Sequence, residues 1–179
     1  AQDYSVNPRL LLALLEYRSG WVTRADSYVS EFPISYVDEF HAGLYRQLTW
    51  AANELNRGFY LWRVNAVSTW VLADGSVVPV DPTINAGTAA VQHFFSKLDG
   101  LEAWQKDVDA FGLFQTYYLM YLQSPFDFGI EPLRPASLQQ PRMILPFMRG
   151  DTWSFTGGPH GGWDNGSAWG AVDFAPPSE

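Results

Sequence analysis

NPRLLLALLEYRSGW, residues 7–21, decides how the chain is read. Asn7 stands where a helix N-cap stands, Pro8 takes the first helical position, where its missing N–H leaves nothing unpaired, and LLLALL follows at 10–15. A helix that is apolar on every side is buried on every side. The stretch therefore predicts a core helix over 7–18, ended by Ser19-Gly20. Working outward, Val37, Phe40, Leu44, Leu48, Ala51 and Leu55 recur at intervals of three and four, with Asp38 and Glu39 in the first turn and Gly58 beyond. They predict an amphipathic helix over 35–56 with one core-facing stripe.

TWVLADGSVVPV, 69–80, sets Asp74-Gly75 between two β-rich runs and predicts a tight hairpin. Asp81-Pro82 then caps a third helix carrying Ile84, Val91, Phe95 and Leu98, which stops at Asp99-Gly100. A fourth, over 107–122, carries Phe111, Phe114, Tyr118 and Leu122. Five prolines between 125 and 146 forbid a helix of normal length there. The expectation is a mainly α protein: a helical domain with a small β-hairpin over 1–123, a proline-rich linker over 124–142, and a glycine- and tryptophan-rich arm, irregular or β, over 143–179.

Composition bounds the function. With 47% hydrophobic and 17% charged residues, the 179-residue chain has the material for a packed core. No stretch approaches the length of a membrane span. A formal net charge of −8 repels nucleic acid and anionic membranes, so neither is an expected partner. The absence of cysteine excludes disulfides and thiolate metal sites. Aromatics reach 16%, and flat rings with polar rims suit sugar recognition as well as core packing.

Residues 7–21 resemble the first catalytic helix of the lysozyme-like lytic transglycosylases, an apolar run followed by Glu-Ser-Gly-aromatic. VDPTINAGTAAVQHFFSKL, 80–98, is similar to a later helix of that family, so the resemblance spans most of 4–122 in order. Where the family carries its catalytic glutamate, immediately before Ser-Gly, this chain has Arg18. A guanidinium holds its proton at any working pH and cannot protonate a glycosidic oxygen. Glu16 does not replace it, because two helical residues lie about 200° apart around the axis. The resemblance implies a lysozyme-like scaffold without its chemistry, with Arg18 at the degenerate position. Two other readings stand beside it: an active glycosidase using Glu16 or Glu39, and a retained groove that binds glycan through Trp21, Tyr36, Trp50, Trp62 or Trp70.

The closing segment LPFMRGDTWSFTGGPHGGWDNGSAWGAVDFA, 145–175, resembles the opening of the catalytic domain of the staphylolytic, lysostaphin-like (LytM-type) zinc endopeptidases, which cut peptide bridges in bacterial cell walls. Leu145-Pro146-aromatic, Gly150, Trp153, the small residues before His160, Gly166-Ser167 and an apolar residue before Asp173 carry the match. By this resemblance His160 and Asp173 are the first two zinc ligands. A catalytic zinc wants three protein donors and an open position. The family's later His-x-His has no counterpart here, and the other histidines are His41 and His93. Zinc is therefore expected only with donors from outside these residues, and no catalytic residue is assigned within them.

Together these readings imply an exported, extracellular or cell-envelope protein resembling the front part of a peptidoglycan zinc endopeptidase, inactive in this segment alone. Its expected partners are peptidoglycan or another glycan, and either a second copy or the C-terminal remainder of the same precursor. The alternative is a non-catalytic structural or glycan-binding protein that self-assembles.

Overall fold

The structure is a computed structural model, and it describes residues 4–24, 30–127, 137, 139, 142, 144–160 and 171–177, the side chains of 158–160 and 171 excepted. The chain divides into two compact units, residues 1–129 and 130–179. Among the described residues the first unit holds five α-helices and one hairpin, and the second a two-stranded ribbon, so the protein is mainly helical with small antiparallel pairs.

Helix α1, Pro8–Ser19, forms as the sequence dictates. The Asn7 side chain accepts the Arg9 N–H at 2.9 Å, and Gly20 closes the helix in the left-handed region at φ 65°. Leu11, Ala13, Leu14 and Leu15 are buried.

The second helix departs from expectation. A short 3-10 turn, Glu39–His41, occupies its predicted start, and the chain turns at Gly43, φ 94°, before α2 runs Leu44–Arg63. Its predicted stop, Gly58, lies inside the helix. A Cβ at 58 would sit 2.5 Å from the His93 Cβ and 2.9 Å from the Ala90 Cα. The glycine is there because α3 crosses at that point, so close approach rather than termination selects it.

Strands β1, Thr69–Val71, and β2, Val77–Pro79, pair antiparallel with Trp70 opposite Val78, joined through Asp74-Gly75 as the sequence predicts. Asp81 does not cap a helix. It accepts the Thr83 N–H at 2.8 Å in a tight turn, and Asn85 is the N-cap of α3, Ala86–Ser96, accepting Thr88 N–H at 2.8 Å. The predicted fourth helix, 107–122, is the shorter α5, Leu113–Tyr121, and ahead of it stands a helix that was not expected, α4, Leu101–Val108, set off by a break at 109–112. Leu113 and Tyr117 turn inward, whereas Phe111, Phe114, Tyr118 and Leu122, the predicted stripe, are exposed.

The core lies between α1, α2 and α3, closed by Trp70 and Leu72 of the hairpin segment, Trp104 and Tyr117; Phe94 and Phe95 are fully buried at its centre. Gln47, also fully buried, is satisfied on both ends of its amide: it accepts Ile34 N–H and donates to the carbonyls of Tyr36 and His41. This amide holds the irregular 30–43 stretch against α2.

In the second unit, strands β3, Ser154–His160, and β4, Ala171–Ala175, pair antiparallel. The register runs Ser154–Ala175, Phe155–Phe174, Gly157–Asp173 and His160–Ala171, shifting irregularly between the last three pairs. The expected linker, 124–142, lies for the most part outside the described residues. No helix among the described residues is long and apolar enough to cross a membrane.

Candidate functional site

Two places carry the chemistry that the sequence points to, one in each unit. In the first, Arg18 sits at the C-terminal end of α1 and turns inward. Its Nη1 lies 3.1 Å from Asp99 Oδ2 and 3.2 Å from Asp107 Oδ2. Tyr17, its neighbour, donates its hydroxyl to Asp107 Oδ1 at 2.6 Å. The Phe95 ring lies beneath the guanidinium, 6.0 Å from centroid to Cζ. One cation is thus shared by two carboxylates, both nearly closed to solvent: Asp99 is 9% exposed and Asp107 6%.

The protonation of the cluster follows from its burial. Removal from water raises the pKa of Asp99, the Arg18 guanidinium pulls it down, and the adjoining Asp107 carboxylate pushes it up again, to about 6. Burial and the hydrogen bond into Asp107 likewise raise the pKa of Tyr17. These carboxyls are sealed inside the unit with an arginine between them. A general acid must reach the oxygen that it protonates, and Asp99 and Asp107 point into an ion pair instead.

The other acids weighed for glycoside cleavage fare no better. Glu16 accepts the N–H groups of Val22 and Thr23, at 3.0 and 3.1 Å, and closes the turn after α1. Burial works upward on its pKa, but the hydrogen bonds from Thr23 and Val22 outweigh it and hold it below the ordinary carboxylate value. A general acid needs the opposite shift. Glu39 lies exposed in the 3-10 turn.

Of the aromatic rings weighed for sugar stacking, Trp50 and Trp70 are buried. Tyr36 covers one face of Trp50, with centroids 3.9 Å apart and planes 7° from parallel, and the Trp70 indole N–H donates to Gln92. Trp21 and Trp62 are partly buried against the core.

In the second unit, His160 ends β3 and Asp173 lies in β4. The register sets them at diagonal positions of one ribbon, Asp173 opposite Gly157 and His160 opposite Ala171. The side chain of His160 lies outside the described residues. The missing Cβ of Gly157 makes room across the ribbon: one built there would lie 3.1 Å from Asp173 Oδ2. A side chain at 157 would push on that carboxylate.

Aromatic rings brace the ribbon. Phe147 stacks on Trp153 with centroids 5.2 Å apart, and Phe174 meets Phe147 and Phe155 edge to face. A turn ahead of β3, in which Met148 and Asp151 exchange hydrogen bonds, aims the strand.

The donors suit zinc in kind, a histidine and a carboxylate, but no group of three or more histidine or acidic side chains able to hold a metal occurs among the described residues. His41 and His93 are engaged inside the helical unit. His93 Nε2 lies 2.9 Å from Glu54 Oε2, and His41 Nδ1 lies 3.4 Å from Asp38. Neither partner was evident from sequence, because both lie on other elements or in irregular chain.

Comparison with known proteins gives one positive finding. The family model described as LasA, N-terminal domain, matches residues 1–133. No curated protein and no solved structure matches the chain.

Proposed function

The chain belongs to the family of LasA N-terminal domains, and from that premise we propose that it is the front part of an exported staphylolytic-type endopeptidase precursor acting on bacterial cell walls. The helical unit serves in it as a pro-region or substrate-groove cover. The observation that carries this reading is the order of the two halves. A unit of that family is followed by a segment whose spacing around His160 and Asp173 resembles the opening of a zinc endopeptidase.

In this reading His160 and Asp173 are two of the metal donors, and the remaining donors come from outside these residues. A bound zinc ion would lower the pKa of its water and polarise a scissile carbonyl. The contribution of this segment is positional: a glycine opposite Asp173 and an aromatic brace under the ribbon hold the carboxylate strand in register with the histidine strand.

The test is the metal content and intact mass of the protein purified from its natural source, with and without His160→Ala. The expected result is a species carrying about one zinc, lost in the variant. A natural form of 20.2 kDa without metal, or a zinc stoichiometry unchanged by His160→Ala, overturns it.

A second reading, a non-catalytic structural or glycan-binding protein, draws on the sealing of Arg18, Asp99 and Asp107 away from any substrate. It is favoured if the metal-free form binds insoluble peptidoglycan.

A further inference from the structure

The buried cluster at the end of α1 joins three separate parts of the helical unit. Tyr17 and Arg18 come from α1, Asp99 from the connector after α3, and Asp107 from the last turn of α4. The backbone around it is tied to the same place. The Asp99 carbonyl accepts the Ala73 N–H of the hairpin turn at 3.1 Å, and Trp104 N–H closes the first turn of α4 on Gly100.

We propose that Tyr17, Arg18, Asp99 and Asp107 form a pH-sensitive joint, which tightens the helical unit on acidification and loosens it as the surroundings approach neutrality.

The reason is charge. With both carboxyls ionised, the sealed site holds two negative charges against the single positive charge of Arg18. One negative charge is left over where water cannot solvate it, which is costly. A proton on Asp99 removes that excess. The carboxyl then has an O–H to donate to Asp107, while Arg18 stays paired with the remaining carboxylate. The joint is neutral and fully hydrogen-bonded only in that state.

Among the described residues Arg18 is the one cation paired with Asp99 and Asp107; Lys97 acts on Glu54, and Lys106 is exposed beside Asp74 and Glu102. The hairpin turn presents Asp74, whose carboxylate accepts the Leu101 and Ser76 N–H groups instead. Helix α5 carries no charged residue. Helix α3 contributes the Phe95 ring, and Glu16 is turned to Val22 and Thr23.

The sign follows from linkage. Asp99 has its pKa raised in the folded protein, to about 6, from the ordinary 3.8. The folded state therefore holds the proton more tightly than the unfolded one. The stability it contributes is complete below about pH 4, declines as pH rises to 6, and is gone above that. Glu16, Glu54, Asp74 and Asp81 shift the other way, and their contributions fade only below about pH 4.5. The window from pH 5 to 7.5 thus lies above those four groups and across the change at Asp99, which a variant at 99 isolates.

The experiment measures the unfolding equilibrium of the full chain by tryptophan fluorescence in urea at steps from pH 5 to 7.5, in the wild type and in Asp99→Asn. The amide imitates the protonated carboxyl and cannot ionise. The folding equilibrium constant of the wild type should fall several-fold, at most about ten-fold, across the window. The variant should lack that fall. A variant with the wild-type slope overturns the proposal. Should Asp99→Asn fail to fold, carboxyl carbon NMR of the wild type decides: an Asp99 titration centred near pH 6 supports the joint, and one complete below pH 5 overturns it.

Discussion

Phe94 and Phe155 are the same side chain in opposite circumstances. Phe94, on α3, is fully buried, with Trp50 and Phe95 rings packed against it at centroid distances of 5.6 and 5.1 Å. Phe155, on β3, meets Phe174 edge to face and is otherwise 60% exposed. The helical unit encloses a core with Phe94 at its centre, although Phe111, Leu119 and Leu122 stay exposed. The ribbon has two strands and an open aromatic cluster, and two strands alone are marginal in water without a further surface to cover one face. The contrast teaches where each unit keeps its stability: the helical unit in a sealed centre, the ribbon in contacts between half-open rings.

The sharpest way to break that comparison is to remove the buried ring. Phe94→Ala leaves a cavity between α2, α3 and the hairpin and should cost about 3–5 kcal/mol of unfolding free energy. For a unit of this size that is a large share of the total, so the urea midpoint should move far toward zero or the helical signal should vanish. A loss below 1 kcal/mol would mean that the core is not sealed as described.

A smaller effect is expected at the α2–α3 crossing. In Gly58→Ala the new methyl meets the His93 Cβ and the backbone of Ala89 and Ala90, all on a helix that cannot move aside alone. Overpacking of this kind costs about 1–3 kcal/mol. The better helix propensity of alanine returns about 1 kcal/mol. The net loss should be about 0–2 kcal/mol by urea denaturation. A stabilised variant would show that the crossing is looser than the close approach implies.

What the sequence could and could not reveal follows from the range of the signals. Asn7-Pro8, the apolar run behind them and Asp74-Gly75 act within a few residues, and α1 and the first hairpin stand where those signals put them. Gly58 was misread as a stop because only a partner helix, distant in sequence, explains it. Of the predicted stripe, Phe111 falls in the break at 109–112 and Leu122 caps α5 at its end, while Leu113 and Tyr117, on another face of α5 from Phe114 and Tyr118, reach the core.

Arg18 stood out in the sequence, but its partners did not. Asp99 and Asp107 lie 81 and 89 residues further along the chain, and no local spacing joins them to it. The opposite holds for His160 and Asp173. The pattern behind their resemblance lies within some thirty residues, so it was readable from local sequence alone.

The smallest expected effect sharpens the comparison from the open side. Phe155→Ser removes an aromatic ring of the same size as Phe94, yet most of its surface already faces water. The transfer free energy of a ring is recovered only for the area that leaves water. An exposed substitution of this kind normally changes stability by no more than about 0.5 kcal/mol. The urea transition of the helical unit should therefore be unmoved, and the only loss should be the edge contact with Phe174. A drop in the midpoint equivalent to 1 kcal/mol or more would instead mean that the ring is covered rather than open to water.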